Sequence, residues 1–178
     1  MAATMRWNDV ELGKAIDARD YDRVQRLVDA GHDLSQCVYC INPNHSMFPP
    51  HSYSALYYVV KNMDIDMLKL FLKNNVKIEQ HVNKFGGGIV LFYRDRSAEV
   101  FELLCNESYQ QIMNDTIKVY PEMIKGLIEY FGITRDGFVY KELIAAADFG
   151  DTQAARRILL YLISQNIKGG FNHEKAKS

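Results

Sequence analysis

Apolar residues recur at every third or fourth position over several short stretches of the chain, a spacing that predicts amphipathic helices. One such stretch contains Leu12, Ala15 and Ile16, and a second begins at Val24 after a polar segment around Asp20. The stripes on either side of the polar segment are each only a few turns long. The pattern therefore predicts a helix, a short turn at the aspartate and a second, antiparallel helix.

This helix–turn–helix pattern repeats along the chain. A segment beginning at Leu56 aligns without gaps with the segment beginning at Leu12, and a third copy begins at Leu143. Two weaker copies are predicted between them, one carrying Val100, Leu103 and Leu104, and one starting at Ile112 with only its second half, Ile124, Leu127 and Ile128. Because one small helix pair cannot bury its apolar stripe alone, the copies are expected to stack in a row.

Paired carboxylates occur at the same place in the first two copies, namely Asp20 with Asp22 and Asp64 with Asp66. Side-chain oxygens at a helix start accept hydrogen bonds from backbone N–H groups that have no partner within the helix. We therefore predict that these aspartates, Asp64 and Asp66 in particular, act as N-caps rather than as an acid–base pair.

Three segments resemble the ankyrin repeat. Residues 54–60, SALYYVV, resemble its T-P-L-H-x-A start, residues 148–159 resemble its Gly-Asp turn and second helix, and residues 28–34 resemble the close of a repeat, where Gly31 is expected to be left-handed. Two of the intervals between copies are close to the ~33 residues of an ankyrin repeat. The sequence departs from the family pattern by lacking Pro at every repeat start and by replacing the turn Gly with residues such as Arg19, Met63 and Asp95.

The resemblance implies an all-α fold, an ankyrin-like solenoid of four to five stacked helix hairpins. We expect a single repeat domain over residues 1–167, with a loop insert at 36–52, and a flexible tail at 168–178. A generic bundle of helix hairpins is the alternative that the same patterns allow. The Tyr-rich and Asn-rich style is similar to that of ankyrin proteins of large DNA viruses, including the poxvirus host-range type.

Composition narrows the class of protein. The 178 residues include 21 Lys and Arg against 22 Asp and Glu, a net charge of −1, which argues against a strong electrostatic grip on nucleic acid. The longest apolar runs are far shorter than the ~20 residues of a membrane-spanning helix, and the N-terminus lacks the apolar region of a secretory signal. Three cysteines do not form a disulfide framework, so we expect a cytoplasmic location.

The insert carries a candidate metal site. Cys37, Cys40, His45 and His51 have the spacing C-x2-C-x4-H-x5-H, and two thiolates with two imidazoles are a ligand set that zinc accepts. The alternative is an extended hairpin loop with two small buried cysteines and two solvated histidines. No cofactor other than this zinc ion is expected.

Motifs for catalysis are missing. The three glycines at 86–88 are not followed by the Lys and Ser or Thr of a phosphate-binding loop, and they occupy the turn before a predicted helix. No nucleophile elbow or zinc-protease motif occurs either. We therefore expect that the protein is not an enzyme.

Ankyrin-like repeats present their first helices and turns to other proteins. In the repeat register, the outward positions are Lys14, Asp17 and Ala18 in the first copy, and the predicted partner-binding residues are Tyr58, Lys61, Asn62, Tyr93, Arg94, Asp148 and Phe149. Aromatic and arginine side chains dominate interface hot spots. The alternative for Tyr58 and Tyr93 is packing between neighbouring repeats.

These observations predict a non-enzymatic protein–protein interaction module, a viral or pathogen adaptor or inhibitor that binds a host protein through its concave face. The alternative is a zinc-stabilised structural or nucleic-acid-binding module that uses the Cys/His insert.

Overall fold

The computed structural model describes residues 6–41, 51–78 and 96–168. Within the chain, two compact units separate, Met1–Lys77 and Ile78–Ser178, here called the first and second unit. Residues 169–178, the greater part of the predicted tail, lie outside the described residues. The single repeat domain over 1–167 stays a prediction.

The first unit contains four helices and three strands among its described residues. In chain order they are β1 Arg6–Trp7, α1 Val10–Asp17, α2 Tyr21–Asp29, β2 Val38–Ile41, β3 His51–Ser54, α3 Ala55–Lys61 and α4 Ile65–Lys73. The helices form two hairpins, α1 with α2 and α3 with α4, at the positions that the first two sequence copies predict.

The second unit contains four helices among its described residues. They are α5 Ala98–Met113, α6 Pro121–Tyr130, α7 Phe138–Asp148 and α8 Thr152–Lys168. The third sequence copy corresponds to the hairpin of α7 and α8. The described part of the chain is mostly helical, as predicted.

Three helix–turn–helix segments share one turn geometry. The residue before the aspartate is left-handed in each, with φ of 53° at Arg19, 55° at Met63 and 74° at Gly150. The aspartate then donates its backbone N–H to the carbonyl five residues earlier, and its carboxylate accepts the N–H three residues later, at Asp20, Asp64 and Asp151. The first bond satisfies a carbonyl at the end of one helix and the second caps the next helix.

The capping prediction is confirmed for Asp20 and Asp64 and is wrong for Asp22 and Asp66. Asp22 and Asp66 lie inside the first turns of α2 and α4, where a negative charge interacts favourably with the helix dipole. Gly31 has a φ of 103° just after α2, as the repeat close predicts.

The prediction of an all-α chain with a loop at 36–52 requires correction, because strands occupy both ends of this insert. β2 pairs antiparallel with β3, from Val38 opposite Ser54 to Ile41 opposite His51, and β1 pairs antiparallel on the other side of β2. The alternation of side chains in Val38–Ile41 is too short to distinguish from a loop in sequence. Backbone pairing with β3 along four residues, and with β1 at its other edge, is what makes it a strand.

The weaker sequence copies were placed incorrectly in part. The helix α5 runs without a break through Ile112, where a new copy was expected to start. Cys105 lies in the middle of α5 and is fully buried. The second half of the next copy is confirmed, because α6 buries Ile124, Leu127 and Ile128.

The apolar stripes form the core of each unit. In the first unit the fully buried side chains include Leu12, Leu56, Met67, Leu68 and Phe71, and in the second they include Leu104, Ile112, Met123 and Ile124. Within the first unit, the two hairpins stack through α2 and α4. Tyr21 donates its hydroxyl to Asp64 at 3.2 Å, and the amides of Gln25 and Asn74 exchange hydrogen bonds.

Candidate functional site

The predicted partner-binding residues fall into three groups in the structure. Tyr58, Lys61 and Asn62 lie on or just after α3 in the first unit. Asp148 ends α7 and Phe149 follows it in the second unit. Tyr93 and Arg94 lie outside the described residues.

Tyr58 belongs to an aromatic cluster that also contains Trp7 and Tyr39, with Asp17 at its edge; we call these four residues the indole cluster. The three ring centroids lie 4.7 to 5.0 Å apart, and Trp7 meets both tyrosines edge to face. Offset and edge-to-face contacts are the favourable geometries for aromatic pairs. The cluster joins the N-terminal strand, the hairpin of β2 and β3, and the two first helices α1 and α3.

Asp17 accepts hydrogen bonds from two other members of the indole cluster. One carboxylate oxygen accepts the indole N–H of Trp7 at 2.9 Å, and the other accepts the hydroxyl of Tyr58 at 2.7 Å. Burial raises the pKa of Tyr58 to about 12, with the hydrogen bond to Asp17 and its negative charge acting in the same direction. Burial likewise raises the pKa of Tyr39, again with help from Asp17.

Tyr58 is therefore half-buried and hydrogen-bonded within the chain, which fits the packing alternative at this position better than a hydroxyl held out to solvent. The binding role of Tyr58 stays a prediction.

Lys61 and Asn62 are exposed at the end of α3. The ammonium of Lys61 lies 5.2 Å from the ring centroid of Tyr53, within cation–π range, and Tyr53 stacks on Tyr57 with centroids 4.9 Å apart. Tyr53, Tyr57 and Lys61 recur at every fourth residue along β3 and α3 and form a stripe on the surface. The sequence pattern did not single out Tyr53 or Tyr57.

A polar recess of about 220 Å³ opens between the turns of the first two hairpins. Asp17, Arg19, Asn62 and Asp64 supply its polar walls, and Arg19 forms an ion pair with Asp64 at 3.4 Å. The Asp64 carboxylate also accepts bonds from Tyr21 and from the Met67 backbone. Both oxygens of Asp64 are therefore engaged by contacts within the fold.

A larger groove of about 650 Å³ lies in the second unit, beside the turn between α7 and α8. Its walls combine charge and apolar surface: Lys118, Val119, Tyr120, Pro121, Ala147, Asp148, Phe149, Gly150 and Thr152. Phe149 is 89% exposed, which is unusual for a large apolar side chain. Two predicted partner-binding residues, Asp148 and Phe149, therefore lie at the same groove.

The predicted zinc ligands lie only partly within the described residues. Cys37 is fully buried, and burial raises the pKa of its thiol to about 12, so the thiol is protonated at neutral pH. The Cys37 carbonyl accepts the N–H of Ala55, which extends the pairing of β2 with β3. Side chains alternate between the two faces of an extended segment. Cys40, three residues after Cys37, is therefore expected on the opposite face.

His45 and the side chain of His51 lie outside the described residues. Among the side chains that the structure does describe, no group of three or more potential ligands is close enough to hold a metal ion. The zinc site stays a prediction. Elemental analysis of the purified chain tests it, and about one zinc per chain would support it.

Sequence reasoning missed Trp7, Gly13 and Tyr39. Trp7 precedes the first repeat copy and belongs to no periodic stripe, so helix periodicity could not place it. The sequence offered one signal for it, because Trp7 is the single tryptophan of the chain. Gly13 allows the Trp7 ring to rest directly on the α1 backbone, because a methyl group at this position would overlap the ring.

No described helix combines the length and the apolar character that crossing a bilayer requires. Comparison with protein-family models, with curated proteins and with solved structures finds no match to this chain.

Proposed function

We propose that this chain is a non-enzymatic protein-binding module with an ankyrin-like architecture, and that it binds a host protein in the cytoplasm as an adaptor or inhibitor. The observation that carries the binding role is the side chain of Phe149, which is almost fully exposed at the rim of a groove with mixed polar and apolar walls.

The ankyrin-like part of the proposal is supported by the recurring turn. Arg19, Met63 and Gly150 adopt the same left-handed conformation before an N-cap aspartate, although only one of them is a glycine. A β-hairpin, β2 with β3, lies between the first two helix hairpins, and ankyrin-like repeats also carry hairpin fingers between helix pairs. In repeat proteins each helix pair packs against the next one, and the packing of α2 beside α4 follows this arrangement.

The binding part is supported by the composition of the groove. Burying a phenylalanine side chain contributes about 1.5–3 kcal/mol, so a partner that covers Phe149 gains this free energy on binding. Lys118 and Asp148 on the walls supply opposite charges that can fix the orientation of a bound chain. An aromatic anchor surrounded by polar groups is the usual anatomy of an interface hot spot.

The test compares Phe149→Asp with Tyr161→Asp. Both residues are exposed aromatic side chains of the α7–α8 hairpin, but only Phe149 lines the groove. Tagged wild-type and variant chains are used to purify partners from candidate host cells with quantitative mass spectrometry. A partner identified this way is then produced in pure form, and its Kd is measured for each chain.

We expect Phe149→Asp to weaken binding of that partner at least thirtyfold, corresponding to roughly 2 kcal/mol. Tyr161→Asp should leave the Kd within about twofold. Equal binding by the wild type and Phe149→Asp would place the interface elsewhere and contradict the role of the groove. Specific turnover of a substrate, abolished by one conservative substitution, would contradict the non-enzymatic assignment.

A further inference from the structure

Residues 6–8, here called the strap, are held by side-chain contacts with α1 and by backbone pairing with β2. Trp7 is 7% exposed, with its ring on the backbone of Gly13 and its N–H on Asp17. The Asn8 side chain accepts the N–H of Val38 at 2.7 Å and donates to the carbonyl of Gln36 at 2.8 Å.

Each feature of the strap meets a matching feature of the surface beneath it. The flat indole ring needs a position without a side chain, which Gly13 provides. The indole N–H needs an acceptor, which Asp17 provides, and the ring edges need aromatic neighbours, which are Tyr39 and Tyr58. The extended backbone pairs with the edge of β2, so the surface recognises both a strand and a tryptophan.

The strap contributes little to the sheet that it joins. β1 contains two residues and lies at the edge, whereas β2 is paired with β3 along four residues on its other side. Departure of the strap would therefore leave the hairpin of β2 and β3 paired. It would uncover the backbone of Gly13 and free the carboxylate oxygen of Asp17 that accepts the indole N–H, and Asp17 is one of the outward first-helix positions in the repeat register.

We propose that α1, β2 and α3 of the first unit form a binding groove for an extended peptide with a tryptophan, and that the strap fills this groove in cis as an internal ligand. A partner segment of the same chemistry competes with the strap for Gly13, Asp17, Tyr39 and Tyr58. Because the strap is tethered, its effective concentration reaches the millimolar range, so a competing segment must bind tightly or be multivalent. This inference can be tested without any cellular partner, and its failure would leave the role of the Phe149 groove untouched.

The experiment uses the full chain with Trp7→Ala, which removes the single tryptophan and vacates the indole position. A synthetic peptide with the sequence of residues 4–10 then carries the only tryptophan in the sample. Its fluorescence is followed as the variant chain is added, and the melting temperature of the variant is measured with and without peptide. A peptide with Ala in place of the tryptophan serves as the matched control.

We expect saturable binding with a blue shift of the peptide fluorescence and a rise in the melting temperature, and the Ala peptide should cause no such rise. The wild-type chain, in which the strap competes, should bind a fluorophore-labelled version of the peptide at least ~100-fold more weakly. Adding Gly13→Ala to the variant should abolish binding, since a methyl group takes the place of the indole ring. Adding Asp17→Asn should weaken binding about tenfold or more.

Failure of the folded Trp7→Ala chain to bind the peptide at millimolar concentration would overturn the proposal, as would equal binding of the Ala peptide. If Trp7→Ala does not fold, Trp7→Phe provides a second variant, which keeps a ring but has no indole N–H. Unfolding of both variants would also overturn the proposal, because Trp7 would then be an indispensable part of the core rather than a displaceable ligand.

Discussion

Met63 and Gly150 occupy the same position in two helix–turn–helix segments, and both have a left-handed backbone. Their φ values are 55° and 74°, and each donates its N–H to the carbonyl three residues earlier, Met63 to Val60 at 3.0 Å and Gly150 to Ala147 at 3.1 Å. The left-handed region costs roughly 1–2 kcal/mol for a residue with a Cβ atom, and glycine has no such cost. The turn geometry is therefore retained between α3 and α4 at an energetic cost that the turn between α7 and α8 avoids.

The first prediction follows from this strain. Met63→Gly should give a higher free energy of unfolding than Met63→Ala by about 1 kcal/mol, because both variants lose the side chain but only glycine relieves the backbone. Gly150→Ala should lower the free energy of unfolding by a similar amount. Urea denaturation measures all three. Identical stabilities for the two Met63 variants would show that the turn is not left-handed in solution.

A second prediction compares two phenylalanines in opposite environments. Phe71 is fully buried in α4 and Phe149 is 89% exposed. Phe71→Ala should lower the free energy of unfolding by about 3–5 kcal/mol through lost burial and a cavity, whereas Phe149→Ala should change it by less than about 0.5 kcal/mol. Chemical denaturation of both variants measures the difference. A small effect of Phe71→Ala would invalidate the repeat register of the first unit.

The hydrogen bond between Tyr58 and Asp17 leads to a prediction about alkaline pH. The pKa of Tyr58 is about 12 in the folded chain, above its ordinary value of 10.0, so the folded state keeps this proton where the unfolded state loses it. The resulting stabilisation is complete below pH 10 and is lost as the pH rises through 12. Replacing Tyr58 with Phe should lower stability at neutral pH and flatten the decline between pH 10 and 12.

The control for this prediction is Tyr161→Phe, which removes a hydroxyl from an exposed tyrosine. Stability measured by denaturation at pH 8 to 11.5 should show the same alkaline decline in Tyr161→Phe as in the wild type. If Tyr58→Phe also retains the full decline, its hydroxyl does not bind Asp17 in solution.

A fourth prediction concerns stability at acidic pH. Asp9 caps α1 by accepting the Leu12 N–H, and its other oxygen lies 2.6 Å from Nδ1 of His32. Burial alone would raise the pKa of Asp9, but the hydrogen bonds from His32 and Leu12, together with the His32 charge, outweigh it and lower the pKa below 3.8. The stabilisation is therefore present above about pH 4 and is lost as the pH falls through the lowered pKa.

Asp9→Asn keeps a good capping oxygen but removes the charge, so it should reduce stability at pH 6 and weaken the acid dependence. Asp20→Asn makes the same change at the equivalent cap of α2 and should have a smaller effect. Acid titration followed by circular dichroism compares the two variants. Equal effects would mean that His32 contributes nothing beyond ordinary capping.

The sequence by itself determined the parts of this protein that depend on local hydrogen bonds and on helix periodicity. The spacing of Leu12 and Ile16 placed α1, that of Leu68 and Phe71 placed α4, and Asp20, Asp64 and Asp151 marked three helix starts. An N-cap and a helix stripe involve residues three to five positions apart, so a short stretch of sequence contains all the atoms that decide them.

Only the tertiary structure decided which distant residues meet. Trp7 packs on Gly13 and Tyr39, and Tyr58 donates a hydrogen bond to Asp17, in contacts that span up to 41 residues. The strand Val38–Ile41 exists because β1 and β3 pair with it, which no local pattern revealed. Such contacts depend on how the hairpins stack and on positions without a side chain, such as Gly13. From the sequence alone, Val38–Ile41 was therefore predicted as a loop, Tyr58 as a surface residue, and Trp7 was not assigned.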